Sequence, residues 1–339
     1  MKPIISLSPH VHGGDSVQRN MYGVCIALLP ALVASICFFG LGAAVVLLTS
    51  VAACVLFEWC ITKYILRSSR LTICDGSAVL TGLLLGFNLP SNLPLWIIII
   101  GAFVAIAIGK LTFGGLGSNP FNPALVGRVF LLISFPMQMT TWPKVGQMTY
   151  HVPNYDNLLA DGTTGATPLS IMKEAIKTAD PTAAMNKLAE LPKAMDMLIG
   201  QTGGSLGEVS ALLLLIGCIF MIWKKIITWH IPVSIIVTVY VLCGILNLCD
   251  PFHYANPIYV VLSGGLMLGA CFMATDYVTS PMTHRGQIIY GVAIGVLTVL
   301  IRNFGSYPEG MSFAILIMNG FTPLINTYVK PKRFGEVKK

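Results

Sequence analysis

A seven-residue polar segment, 161–167, carries three threonines, one aspartate and two glycines in an otherwise apolar chain: Asp-Gly-Thr-Thr-Gly-Ala-Thr. Neighbouring aspartate and glycine residues favour tight turns. A threonine placed before a helix can cap it, and the Pro168 that follows suits a first helical turn. On local physics alone, the segment is therefore a turn that ends in a helix cap at Thr167.

Five more polar residues lie in or beside apolar runs, where polar and charged groups are costly unless they are paired. They are Asp75, Asn119, Asn122, Arg128 and Asp276. The two aspartates are candidates for ion coordination, with helix capping as the alternative. The asparagines are expected to cap helices. Arg128 is expected to pair with another polar group, and a place on an ion path is the alternative.

Cysteines do not form a recognisable metal motif in this chain. Nine are present, seven of them within apolar runs, and no C-x-x-C pair occurs. An iron–sulfur or zinc site made by this chain alone therefore has little support. We predict no metal site and no catalytic side chain, while a cysteine shared with a partner protein stays an alternative.

Composition places the chain in a membrane. Of the 339 residues, 55% are hydrophobic and 10% are charged, and the mean hydropathy is +0.77. A soluble domain has about 25% charged residues. The net charge of +7 does not indicate nucleic-acid binding, because Lys and Arg accumulate in the cytoplasmic loops of membrane proteins.

Apolar runs predict about ten membrane elements, since a bilayer core takes about 20 helical residues. Two runs are short and end at a proline, which is typical of half-depth helices. The full-length candidates are 21–40, 43–66, 94–113, 206–223, 229–248, 257–275, 286–302 and 310–328, and the short ones are 76–90 and 122–135.

Two halves of the chain look alike and predict an inverted repeat of five elements each, as in many transporters. The sequence LTGLLLGFNLPSNLP resembles MLGACFMATDYVTSP, which lies in the second half. The fold class is thus an all-α polytopic membrane protein with a long loop between its repeats. The predicted regions are an N-terminal segment 1–20, repeats 21–135 and 206–328, a loop 136–205 and a basic tail 329–339.

Lys and Arg set the expected orientation. With the N-terminus in the cytoplasm, nearly all basic residues of short loops and the basic tail lie inside, with Arg302 as the exception. Both termini are then cytoplasmic and the loop 136–205 is extracytoplasmic. Near the inner end of its span, Glu58 is expected to pair with Lys63.

The segment D-G-T-T-G-A-T-P resembles the flavinylation motif of one membrane-protein family. That family unites the D subunit of the Rnf electron-transport complex with the B subunit of the sodium-pumping NADH:quinone oxidoreductase. Further stretches carry the resemblance, including DGSAVLTGLLLGFNLP, NPFNPALVGRVFL and MATDYVTSPMTHRGQIIYG. The short N-terminal segment fits the Rnf member of the family better. One departure is Tyr277, where the family pattern has proline.

This resemblance implies FMN bound covalently through a phosphoester to Thr167, with Asp161, Thr164, Gly165 and Ala166 completing the motif. A flavin transferase attaches the FMN outside the cytoplasm, where the basic residues already place the loop. Non-covalent riboflavin is a further expected cofactor, and Asp75, Asp276, Asn119, Asn122 and Arg128 are candidates for that second flavin or for an ion path.

The resemblance also implies a function. The chain is expected in the bacterial inner membrane, with the other Rnf subunits as partners, where electron flow between ferredoxin and NAD⁺ drives Na⁺ or H⁺ movement. It is one component of a redox-driven translocase and is not expected to act alone. Two alternatives are a solute or ion channel without redox chemistry, suggested by the Asn-Pro-Ala at 122–124, and a purely structural membrane partner.

Overall fold

The computed structural model of the chain describes residues 16–67, 73–143, 165–200, 202–208, 210–307 and 309–330. Within these ranges the secondary-structure elements are all helices. Five of them are long and apolar enough to cross a membrane, and their outer faces carry large apolar side chains such as Leu248, which is 85% exposed. Such faces suit lipid rather than water. The prediction of an all-α polytopic membrane protein is confirmed.

The first half contains three long membrane helices and two short ones. The elements are α1 Val17–Phe39, α2 Leu41–Cys60 extended by a π turn Ile61–Ile65, α3 Ser77–Phe87, α4 Leu95–Phe103 extended by a π turn Val104–Ile108, and α5 Pro123–Ser134. Short 3₁₀ turns Ile73–Asp75 and Leu111–Phe113 connect them. Helices α3 and α5 occupy the two short runs, as the sequence predicts.

The second half follows a set of short surface helices. These are α6 Pro136–Met139, α7 Pro168–Lys177, α8 Pro181–Ala189, α9 Ala194–Ile199 and a 3₁₀ turn Leu206–Glu208. The membrane part then contains α10 Ala211–Trp223, α11 His230–Cys249, α12 Pro257–Leu262, α13 Leu266–Leu268 with a π turn Gly269–Met273, α14 His284–Phe304 and α15 Met311–Tyr328.

Two predicted spans are wrong in their details. The run 206–223 contains a helix of only 13 residues, because Leu206–Glu208 is a separate 3₁₀ turn and Ser210 caps α10. The run 257–275 is broken between α12 and α13, where Ser263 is extended and Gly264 has φ +68°. Non-helical backbone at membrane depth requires internal partners for its polar groups.

Arg302 supplies partners for this break. Its Nη1 donates to the carbonyl of Val260 at 2.9 Å, and its Nη2 donates to the carbonyl of Ser263 at 3.1 Å. The side chain is buried on α14. The one basic residue that departs from the orientation pattern therefore neutralises the carbonyl end of a broken helix, where a cation is favourable.

Helix α7 packs on the segment that joins α11 to α12. Leu169 and Met172 form a small apolar cluster with Ala255. At the other end of α7, the carbonyl of Thr178 lies 3.1 Å from Nε2 of His253, whose Nδ1 lies 2.7 Å from Asp250. These contacts hold the start of α7, and with it Thr167, against the membrane helices.

The proposed division into two inverted repeats and the placement of the loop outside the cytoplasm stay predictions. Most of the N-terminal segment 1–20 and of the tail 329–339 lies outside the described residues.

Candidate functional site

Thr167 is the N-cap of α7, as the local sequence predicts. Its backbone is extended, and its Oγ1 accepts a hydrogen bond from the amide of Ser170 at 3.2 Å. The Thr167 carbonyl accepts a second hydrogen bond from the Ser170 hydroxyl at 2.7 Å. The residue is only 7% exposed. Thr167 is therefore a buried, hydrogen-bonded hydroxyl at the positive end of a helix dipole.

A cavity of about 420 Å³, here called the Thr167 cavity, opens beside this hydroxyl. Its volume lies in the range of about 300–1,000 Å³ that is typical of small-molecule sites. The described residues that line it are Arg128, Leu132, Met139, Thr140, Trp142, Gly165, Ala166, Thr167, Leu169, Ser170, Glu174, Glu208, Tyr307 and Glu309. Three residues of the motif, Gly165, Ala166 and Thr167, thus form one wall.

Aromatic and apolar side chains form much of the remaining wall. Trp142 is joined to the motif because its carbonyl accepts a hydrogen bond from the amide of Gly165 at 3.0 Å. Tyr307 stacks on Phe313 with ring centroids 5.6 Å apart, and this contact fixes its orientation. A space with both apolar walls and a few fixed polar groups suits a planar aromatic ligand.

A buried cation lies at the base of the Thr167 cavity. Nη1 of Arg128 donates to Asn88 Oδ1 at 2.7 Å and to Ser312 Oγ at 2.6 Å, and Nη2 is ion-paired with Glu309. Asn88 ends α3 and Ser312 begins α15. Arg128 therefore joins three helices, and the expected polar pairing is observed.

Glu208 contributes a second carboxyl group to the cavity wall. Its Oε1 is buried and has no hydrogen-bond partner within the described part of the chain. Desolvation raises the pKa of Glu208, and the positive charge of Arg128 opposes that shift. The charged residues among the described lining are one arginine and three glutamates, so the Thr167 cavity carries a surplus of acidic groups.

A smaller cavity of about 70 Å³, here called the Asp276 cavity, lies between α1, α3 and the start of α5. It collects Asp276, Asn119 and Asn122, three of the residues predicted from sequence. Asp75 is half-buried in the turn before α3 and is not among its lining residues. Arg128 belongs to the other cavity.

The polar groups of the Asp276 cavity are partly satisfied. Asn122 caps α5 by accepting from the amide of Ala124 at 3.1 Å, and its Nδ2 donates to the carbonyl of Met273 at 3.2 Å. Asp276 accepts from the hydroxyl of Thr279 at 3.2 Å. Oδ1 of Asn119 has no partner in the described ranges. Capping by Asn122 is therefore confirmed.

The chain matches the model of the NQR2, RnfD, RnfE family over residues 4–335. It belongs to that family. It is 43% identical over 336 residues, 98% of this chain and 96% of the relative, to the D subunit of the proton-translocating ferredoxin:NAD(+) oxidoreductase complex of Clostridium ljungdahlii. The identity and coverage are the same for the D subunit of the Na(+)-translocating ferredoxin:NAD(+) oxidoreductase complex of Acetobacterium woodii.

A more distant relative is the D subunit of the ion-translocating oxidoreductase complex of Escherichia coli K12. It is 36% identical over 355 residues, which are 98% of this chain and 99% of the relative. Membership of the NQR2, RnfD, RnfE family confirms the resemblance found in the sequence.

Two of the predicted motif residues, Asp161 and Thr164, lie outside the described residues. Among the residues that the structure does describe, no group of three or more His, Cys, Asp or Glu side chains could hold a metal ion.

Sequence reasoning missed the buried groups that pair over long distances. Glu58 was expected to pair with Lys63, and that prediction is wrong: Nζ of Lys110 donates to Glu58 at 2.7 Å and to Ser77 at 2.7 Å. Lys63 is exposed and lies over Trp59. Glu208 and Glu309 were not singled out either. Each lies in an irregular segment just before a membrane helix, which gives no periodic signal.

Proposed function

We propose that the chain carries FMN as a phosphoester on Thr167 and passes electrons between subunits of an ion-translocating ferredoxin:NAD⁺ oxidoreductase complex. The relatives named as D subunits of such complexes support the setting. The main support for FMN is the Thr167 cavity, because the motif hydroxyl expected to bind FMN borders a space of about 420 Å³ with aromatic walls.

The residues of the cavity fit such a group. Thr167 provides the hydroxyl that a phosphoester requires, at a helix start where backbone amides and the dipole favour a phosphate. The amide of Ser170 donates to Thr167 Oγ1 in this structure, and it would face the phosphate once Thr167 carries the phosphoester. Trp142 and Tyr307 add aromatic surface to the wall, and Arg128 holds a fixed positive charge at the base.

The flavin supplies the redox chemistry when bound, including one-electron steps. The residues of the chain set the distance of the flavin to partner carriers, the redox potential of the flavin and its access to water. The carboxyl group of Glu208, whose Oε1 is buried without a hydrogen-bond partner in the described part of the chain, disfavours the addition of negative charge, so we expect this cavity to keep the midpoint potential of a bound flavin low.

A denaturing gel tests the attachment. The chain is expressed with and without an active flavin transferase, and the gel is inspected for flavin fluorescence under ultraviolet light. We expect a fluorescent band that requires the transferase, disappears in Thr167→Ala and remains in Thr167→Ser. Thr140→Ala is the matched control, because Thr140 borders the same cavity and bonds only to the carbonyl of Pro136. A band that survives Thr167→Ala would exclude this attachment, and no band in the native chain would favour the channel alternative.

The Asp276 cavity is the proposed second ligand site, for a transported ion or for riboflavin. The unpartnered Asn119 Oδ1 and the Asp276 carboxylate are oxygen ligands of the kind that hard cations use. A volume of about 70 Å³ holds several waters, so riboflavin requires the cavity to widen. The ion is Na⁺ or H⁺, and relatives of equal identity are named for each.

Asparagine substitutions test the ion path in the whole complex. We expect Asp276→Asn to lower ion uptake by membrane vesicles at least tenfold for a given rate of NADH formation. Asp75→Asn is expected to be milder, since Asp75 does not border the cavity. Unchanged coupling in Asp276→Asn would remove this residue from the ion path.

The proposed location is the bacterial inner membrane, with both termini in the cytoplasm and the loop 136–205 outside. Single cysteines introduced in that loop are expected to react with an impermeant thiol reagent in intact cells, once the native exposed cysteines have been replaced.

A further inference from the structure

Among the described residues that line the Thr167 cavity, Glu208 is the carboxyl group with a buried oxygen, Oε1, that has no hydrogen-bond partner. Arg128 directs its Nη2 to Glu309 and its Nη1 to Asn88 and Ser312. Arg302 directs both of its terminal nitrogens to backbone carbonyls. Glu174, the third acidic residue of the wall, is 64% exposed and bonds to Lys187 at 3.3 Å.

The position of the Glu208 carboxyl group is closely defined. A Cβ added to Gly204 would lie 2.5 Å from Glu208 Oε2, so the absence of that atom gives the carboxyl group its place. A Cβ added to Gly265, at the break between α12 and α13, would lie 3.6 Å from Arg128 Nη1 and 3.9 Å from Glu208 Oε1. Glu208 is thus near the guanidinium of Arg128 without accepting a hydrogen bond from it.

Resting on the proposed function, we propose that Glu208 is a proton-binding site whose occupancy is linked to reduction of the flavin in the Thr167 cavity. The cavity joins Thr167 and Glu208 in one space, and the ion pair of Arg128 with Glu309 adds no net charge to it. An electron that enters this space therefore meets the charge of Glu208 with little screening.

The step balances with one proton for one electron. An electron from the upstream carrier adds one negative charge to the cavity, and Glu208 takes one proton from water, forming an O–H bond at Oε1. When the electron leaves for the next carrier, that O–H bond breaks and the proton returns to water. Burial raises the pKa of Glu208, which favours this uptake.

Water has a route to the site. Glu174 borders the same cavity and is largely exposed, so the cavity reaches the surface beside α7. The titratable and charged groups that face Glu208 are Arg128 of α5, Arg302 of α14, Glu309 before α15 and Glu174 of α7. Of the two other acidic groups, Glu309 is ion-paired with Arg128 and Glu174 is largely exposed, which leaves Glu208 as the group that responds to the electron.

The test is the pH dependence of the midpoint potential of the bound flavin, measured in the purified full complex. One proton per electron changes a one-electron potential by about 59 mV per pH unit. Protonation of the flavin itself contributes equally to all variants. We expect the potential of Glu208→Gln to equal that of the native protein at low pH and to exceed it increasingly as pH rises, because the variant lacks the carboxylate charge.

Glu174→Gln is the matched control, since it removes an exposed carboxylate from the same wall and is expected to follow the native curve. Glu208→Asp keeps a carboxyl group and is expected to restore the native slope. A Glu208→Gln curve parallel to the native one at all pH values would overturn the proposal.

A fluorescent band on a denaturing gel accompanies each variant. Loss of the band in Glu208→Gln alone would also overturn the proposal, since Glu208 would then act in assembly. Absence of the band in the native protein would instead reject the proposed FMN attachment, and with it the premise of this inference.

Discussion

The Thr167 cavity and the Asp276 cavity differ in how their charged side chains are paired. At the Asp276 cavity, the ammonium group of Lys110 is 2% exposed and is bound by both Glu58 and Ser77. At the Thr167 cavity, Arg128 is ion-paired with Glu309 while Glu208 keeps an unbound buried oxygen. A paired charge holds helices together, whereas an unmatched one is available to respond to a ligand or an electron.

The two cavities also differ in volume. The Thr167 cavity has about 420 Å³ and the Asp276 cavity about 70 Å³. The larger space lies under α7, whose attachment depends on a few side chains such as Leu169 and His253. The smaller space lies among membrane helices. The larger cavity thus lies where a surface helix covers the membrane helices.

The largest expected effect comes from breaking the buried pair. Lys110→Met removes the cation that binds the buried carboxylate of Glu58 at 2.7 Å, and removal of one partner of a buried pair costs about 3–5 kcal/mol. We expect a correspondingly large loss in the free energy of unfolding, measured by denaturation in detergent. Adding Glu58→Gln to the same chain should recover much of it.

Lys63→Met serves as the comparison for that measurement, because Lys63 is exposed and lies over the rings of Trp59 at 4.8 Å and Tyr64 at 5.4 Å. It is expected to cost less than about 1 kcal/mol. Equal losses for the two lysine variants would contradict the structural role assigned to the Lys110 pair.

A smaller effect is expected at the break that supports α7. A Cβ at Gly264 would overlap Cδ1 of Leu169 and lie 3.1 Å from Nη2 of Arg302, at a φ of +68°. Gly264→Ala should therefore cost about 1–3 kcal/mol through strained backbone and should also push α7 away. Limited proteolysis within α7 is expected to become faster.

Gly115→Ala separates strain from contact, since Gly115 has φ +92° but nothing within 4 Å of its Cβ position. We expect it to lower stability without changing proteolysis of α7. If the two variants expose α7 equally, the contact between Gly264 and Leu169 does not hold the helix in place.

Local features of this chain could be predicted from sequence, and long-range partners could not. Thr167 followed by proline predicts a cap, and the short proline-ended runs predict α3 and α5, because each depends on neighbours within a few residues. The pairing of Glu58 with Lys110 spans 52 residues, and the nearer Lys63 was the wrong choice for that reason.

The sequence carries a local signal for the break at 263–265. Ser-Gly-Gly in the middle of an apolar run offers left-handed backbone and a weak helix, whereas the hydropathy of the run alone predicts one span. In the sequence, Arg302 is an exception to the charge pattern, and its carbonyl partners in the folded chain explain its position. The sequence carries no such signal for Glu208, because its proposed role depends on a cavity that exists only in the folded chain.

Under the proposed function, the burial of Thr167 requires FMN to be attached before α7 docks. Thr167 is 7% exposed and its hydroxyl accepts a hydrogen bond from Ser170, so a transferase cannot reach that hydroxyl in the folded chain. Under the proposed function, the enzyme must act while α7 is undocked, and docking then encloses the product. Docking of α7 therefore protects the attached FMN and also blocks its attachment. A chain that folds before it is modified would carry no FMN.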